Sequence, residues 1–128
     1  MTTNTQAAMN EPSPSPNLRL SLTSGLLPLE QSYANRFAWA RAAGFEGVEI
    51  ETVEDRDDLE RIRDAAAKTG LIAHSVMAHA QWTYPLTSAD GRIAALGIKS
   101  AIQTLENAHA LGADTVLMIS GLVGDDTS

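Results

Sequence analysis

From Leu18 onward the hydrophobic positions switch repeatedly between two periods. Leu18-Arg19-Leu20-Ser21-Leu22 alternates apolar with polar, which predicts a strand. Gly25 and Pro28 then mark a loop. Over residues 29–43, Tyr33, Phe37, Ala40 and Gly44 fall on one face of a helix, with Gly44 at its end. Gly47-Val48-Glu49-Ile50-Glu51 is a second strand. Residues 56–69 form a second helix with Leu59, Ile62 and Ala66 inward and Gly70 as its stop. A third strand runs from Leu71 to Val76. The third helix, 91–111, carries Ala94, Ile98, Ala101, Leu105 and Ala108 on its expected inner stripe and closes at Gly112. A fourth strand covers Thr115 to Ile119.

The order βαβαβαβ predicts an α/β fold with a parallel sheet and right-handed crossovers. A weak repeat reinforces it. Ala43-Gly44-Phe45-Glu46-Gly47-Val48, Thr69-Gly70-Leu71-Ile72-Ala73-His74 and Leu111-Gly112-Ala113-Asp114-Thr115-Val116 each read as helix end, glycine, turn and strand. Repeated βα units build closed barrels, and open doubly wound sheets as well. Residues 1–17, with Pro12, Pro14 and Pro16 and no apolar periodicity, read as a disordered tail. The folded domain is expected over 18–128.

Composition narrows the function classes. The chain has 128 residues, 44% of them hydrophobic, and a net charge of −7. That length suits one domain but falls short of the ~250 residues of a complete eight-stranded barrel. The acidic balance repels phosphate backbones, and Arg56, Arg61 and Arg63 sit among five carboxylates, so no nucleic-acid partner is expected. The absence of cysteine excludes disulfides and thiolate chemistry. No apolar run reaches the ~18 residues of a membrane span, and the N-terminus lacks the basic region and apolar stretch of a signal peptide. A cytoplasmic protein with no membrane partner is the expectation.

In a parallel α/β fold the chemistry gathers at the carboxyl ends of the strands. The loop from Met77 to Asp90 is the longest there and holds His79, Gln81, Trp82, Tyr84 and Pro85. Aromatic faces for C–H bonds beside imidazole and amide groups for hydroxyls suit a sugar or polyol. The plainer alternative is a lid whose aromatics cover the barrel end. Glu49 and Glu51 share the face of the second strand opposite Val48 and Ile50, and Ser21 and Thr23 share the corresponding face of the first. His74, inside the third strand, is either a core histidine or a binding group. His109 lies on a helix flank. Ser24-Gly25 and Ser120-Gly121-Leu122-Val123-Gly124 match no phosphate-binding fingerprint.

AAGFEGVEIE (42–51), HAQWTYPLTSAD (79–90) and GIKSAIQTLENAHALGADTVLMISG (97–121) resemble the xylose isomerase-like TIM-barrel group over about residues 18–123. The group includes sugar phosphate isomerases and epimerases, ketose 3-epimerases and hydroxypyruvate isomerases. The resemblance implies the N-terminal half of a (β/α)8 barrel, and a divalent-metal (Mn, Mg or Co) enzyme that moves a proton α to a carbonyl. It implies that the metal ligands belong to later strands, so that none is expected in this chain. What carries over is a substrate wall of His79, Trp82, Glu49 and His74.

Such a half is expected to be inactive alone, and to associate with a second copy or with a complementing C-terminal half-barrel through its open edges. A non-catalytic half-barrel that binds a ligand or a partner is the alternative. A third reading is the endonuclease IV type of DNA-repair enzyme. His79 matches one of its histidines, but Met118-Ile119-Ser120-Gly121 supplies none for the next.

Overall fold

The computed structural model describes residues 17–123. The expected tail lies outside the described residues except for Asn17, which is exposed and belongs to no helix or strand. The elements are β1 (Ser21–Thr23), α1 (Tyr33–Ala42), β2 (Gly47–Glu51), α2 (Arg56–Thr69), β3 (Ile72–Met77), α3 (Gly91–Leu111) and β4 (Thr115–Leu117). Short 3-10 turns at Ser24–Leu26 and His79–Trp82 follow β1 and β3.

Local chemistry sets the helix ends. Ser32, Asp55 and Asp90 cap the three helices by accepting from the backbone N–H groups of Asn35, Asp57 and Arg92. Ser32 therefore starts α1 four residues later than its apolar pattern suggests, and Pro28–Gln31 form a turn instead. Gly70 and Gly112 end α2 and α3 in the left-handed region, at φ 74° and 70°, where a side chain would be strained. Arg61–Asp58 and Arg56–Glu60 pair along the exposed side of α2, so the charged stretch is a solvated helix face.

All four strands are parallel and stand in chain order, β1-β2-β3-β4. Sequential order with right-handed crossovers puts every helix on the same side of the sheet, whereas an open doubly wound sheet reverses its order at a switch point. One core results. Val48, Ile50, Ala73 and Val76 from the sheet pack with Phe37, Ala40, Ile62, Ala65 and Ala108 from the three helices. The opposite sheet face, which in a closed barrel looks toward the axis, carries Ser21, Thr23, Glu49, Glu51 and Ser75, with Met77 and Leu117 beside Glu51. The protein is thus a partial TIM-barrel-like fold.

Other elements differ from expectation too, and β4 ends at Leu117 rather than Ile119. Leu18 and Leu20 are exposed and precede β1, which begins at Ser21. The Leu20 carbonyl still accepts from the N–H groups of Glu46 and Gly47, but only Leu22 finds helices to pack against. Along α3 the inner stripe is Gly97, Thr104, Asn107 and Ala108, while Ile98 and Leu105 are 55% and 52% exposed. Hydrogen bonding and close approach explain the rotation. Asn107 Oδ1 accepts from Val53 N–H at 2.8 Å, and Thr104 Oγ1 lies 2.7 Å from Thr52 Oγ1. A Cβ at Gly97 would stand 2.4 Å from the Tyr84 carbonyl oxygen. No helix among the described residues is long and apolar enough to cross a membrane.

Candidate functional site

The axis-facing side of the sheet is built in layers. Burial of Val48 and Ile50 beneath the helices turns Glu49 and Glu51 to the other face. Register then sets their neighbours: Ser21 lies beside Gly47 and Thr23 beside Glu49. Between β2 and β3 the register slips after Val48, pairing Val48 with Ala73 but Glu49 with Ser75, so His74 is an extra residue. The slip brings Ser75 Oγ to Glu49 Oε2, to which it donates at 2.8 Å.

His74 lies one layer lower, nearer the amino ends of the strands. Its ring crosses over Gly47 to share a 2.5 Å hydrogen bond between Nε2 and Ser21 Oγ. A Cβ on Gly47 would stand 2.9 Å from His74 Cδ2, so the glycine makes the crossing possible. Glu51 forms the uppermost layer, with its carboxylate over Gly25, where a Cβ would lie 2.8 Å from Oε1. Thr23 Oγ1, beside Glu49, is buried without a partner among the described residues.

Buried polar residues on the helices hold the loops around this face. Arg36, only 6% exposed, donates from a terminal guanidinium nitrogen to the Ser24 carbonyl at 2.6 Å, which fixes the turn that carries Gly25. Its guanidinium lies 5.0 Å from the Tyr33 ring centroid. Burial, and then the Asp58 carboxylate, push the Tyr33 phenol above its ordinary pKa of 10.0. Thr52 donates to the Met77 carbonyl at 2.9 Å and ties the ends of β2 and β3 together. Neither Arg36 nor the α3 polar stripe stands out in the sequence, because an arginine or asparagine on a helix is usually exposed.

The long third loop splits its functional groups. After β3 the chain coils into the His79–Trp82 turn, closed by Thr83 and Tyr84 N–H groups on the Ala80 carbonyl. Gln81 turns inward, 3% exposed, and its Oε1 accepts from Ile119 N–H just beyond β4. Trp82, 54% exposed, lines a cavity of about 550 Å³ with Gln81, Pro85, Thr87, Ser88 and Ser120. His79 faces a separate hollow of about 580 Å³ with Thr52, Glu54, Tyr84, Lys99 and Gln103. The structure therefore brings Glu49 and His74 onto one face, a layer apart, and sends His79 and Trp82 into different cavities.

The layers suit recognition of hydroxyls: Glu49 and Glu51 accept, while Ser21, Ser75 and Thr23 donate or accept. A metal-dependent reaction needs more. Among the described residues no three His, Asp or Glu side chains converge into a group that would hold an ion. The described residues do not fit a metal centre by themselves.

A profile of xylose isomerase-like TIM barrels matches residues 37–128. The fold is shared with the 3-keto-D-glucoside 4-epimerase of E. coli, at a TM-score of 0.65 and 18% identity, over 78% of this chain and 36% of that one. It is also shared with an AP endonuclease, family 2, of Brucella melitensis, at a TM-score of 0.64 and 22% identity, over 84% of this chain and 42% of that one. At these identities the likeness is one of fold, and the chain spans less than half the length of either neighbour. Comparison with curated proteins gave no match. The sequential parallel sheet and the profile over most of the chain agree: the chain belongs to the xylose isomerase-like TIM barrel family.

Proposed function

We propose that this chain supplies the N-terminal half of a sugar or sugar-phosphate isomerase or epimerase, and that its axis face is one wall of the substrate site. The observation that carries this reading is Glu49, turned to the axis face with one carboxylate oxygen held by Ser75 at 2.8 Å and the other without a hydrogen-bond partner among the described residues. Glu49 orients the substrate, and Glu51 over Gly25 accepts a further hydroxyl higher in the wall. The reaction class is proton transfer α to a carbonyl. Its divalent cation (Mn, Mg or Co) would take its ligands from strands outside the described residues. One solved neighbour is an epimerase acting on a keto-sugar glycoside, which supports the sugar reading. The net charge of −7 weighs against a DNA substrate such as that implied by the other neighbour's name.

Deuterium uptake from solvent into a panel of ketoses tests the reading by NMR, using the chain in a barrel completed by a C-terminal half and supplied with Mn²⁺, Mg²⁺ or Co²⁺. Exchange at the carbon next to the carbonyl is expected in the completed barrel and not with the chain alone. Glu49→Gln should lower kcat/KM by roughly 10²-fold, the loss typical of a positioned charged contact. Cleavage of abasic-site DNA without any exchange would overturn the sugar reading. Sugar binding without exchange would favour a non-catalytic module.

A further inference from the structure

The cavity beside Trp82 has a property that bears on the substrate's charge. Its walls among the described residues include an indole face, the proline ring of Pro85, the hydroxyls of Thr87, Ser88 and Ser120, and the amide of Gln81, with no charged side chain. It opens where the loops after β3 and β4 meet, the end of the sheet at which (β/α) folds bind their ligands. Its volume of about 550 Å³ matches that of small-molecule sites.

Gln81 gives the cavity its direction. Ile119 N–H donates to Oε1, and this fixes the amide, since a flip would set donor against donor. The Nε2 group is left buried with no acceptor among the described residues. A buried donor without a partner is uncommon and costly, and Gln81 is among the residues that line the cavity. Next to it, the half-exposed Trp82 ring offers an apolar surface for the C–H face of a pyranose or furanose. Phosphate groups call for cations, and no Lys, Arg or His is among the described wall residues.

We infer that this cavity takes a neutral, polyhydroxylated part of the substrate, so that the sugar bound here is unphosphorylated, with the Gln81 amide donating to one of its hydroxyl or carbonyl oxygens. The inference rests on the sugar reading above and narrows it: Gln81 becomes a specificity-determining residue.

The chain has two tryptophans, Trp39 on α1 and Trp82, so in a Trp39→Phe background the emission reports Trp82 alone. D-Fructose and D-fructose 6-phosphate serve as probes. D-Fructose is expected to change the emission saturably, with the phosphate ester binding at least about tenfold more weakly. The decisive variant is Gln81→Glu, which keeps an acceptor for Ile119 N–H and replaces the free donor by a second carboxylate oxygen. It should retain the far-UV circular dichroism of its parent, at some cost in unfolding midpoint from the buried charge, while binding D-fructose about tenfold or more less tightly, as loss of a buried hydrogen bond predicts. Tighter binding of the phosphate ester, unchanged binding by Gln81→Glu, or no saturable response to either probe would each overturn the inference. The two readings fail separately. D-Fructose binding that depends on Gln81, without isotope exchange in the completed barrel, would remove the isomerase reading and leave this cavity standing. Exchange that is indifferent to Gln81→Glu would do the reverse.

Discussion

Gly47 carries no functional atom, yet its missing side chain lets the imidazole of His74 pass over β2 and reach Ser21 on β1. Gly47→Ala would press a methyl group into the ring at 2.9 Å and against Ser21 Oγ at 3.3 Å, with the Ile72 carbonyl at 3.4 Å leaving little room to yield. The variant is expected to lose about 1–3 kcal/mol in urea unfolding, the usual cost of overpacking. Ser21→Ala, which removes the hydrogen bond without crowding, should lose less; equal losses would show that the hydrogen bond and not the glycine matters. This clarifies His74, which the sequence leaves between a core role and a binding role. It sits on the axis face but below the Glu49 layer, tying three strands together, and at the amino ends of barrel strands such residues commonly serve stability. At Glu49 the alternation of Val48 and Ile50 is enough to predict the face, because side chains on a strand without a bulge alternate between its two faces.

Among the elements, α3 departs furthest from its pattern. Its apolar periodicity points to Ile98 and Leu105 as the buried side, and the folded helix buries Gly97, Thr104 and Asn107 instead. Periodicity reports which face avoids water, not which neighbour will cover it. Here the neighbour across α3 is the backbone that follows β2, whose polar groups demand hydrogen-bonding partners. Two substitutions separate the faces. Asn107→Leu leaves Val53 N–H without its acceptor and should cost about 1–3 kcal/mol, with faster hydrogen exchange at Val53. Ile102→Lys, on the exposed apolar side, should change stability by less than about 0.5 kcal/mol. The opposite ranking in thermal unfolding would mean that α3 is turned the other way.

For the whole molecule, part of the exposed apolar surface gathers at α3 and the sheet edges. Ile98, Ile102 and Leu105 lie along one side of α3, Leu117 and Met118 at the β4 edge, and Leu18 and Leu20 at the β1 end. Both outer strands lack a partner on one side among the described residues. Unpaired parallel edges with adjoining apolar surface promote association. Sedimentation velocity of the chain is therefore expected to show concentration-dependent association. Replacing Ile98, Ile102 and Leu105 together by Lys should shift it toward monomer; a stable monomer at every concentration would contradict this account. A C-terminal half-barrel added in trans is expected to compete with self-association.

The second and third helices, the second strand, the glycine stops and the parallel α/β order all follow from local rules of periodicity and capping, which act within a few residues and are therefore legible in the chain. The same rules put the carboxylates of Glu49 and Glu51 on the axis face. They do not reach the slip that lines up Ser75 with Glu49, the crossing of His74 over Gly47, the burial of Arg36 or the rotation of α3, since each depends on contacts between residues far apart in sequence. The long loop shows the division most clearly. Its composition announces a binding surface, but a single long-range hydrogen bond, from Ile119 to Gln81, turns the amide inward and leaves His79 and Trp82 facing separate cavities.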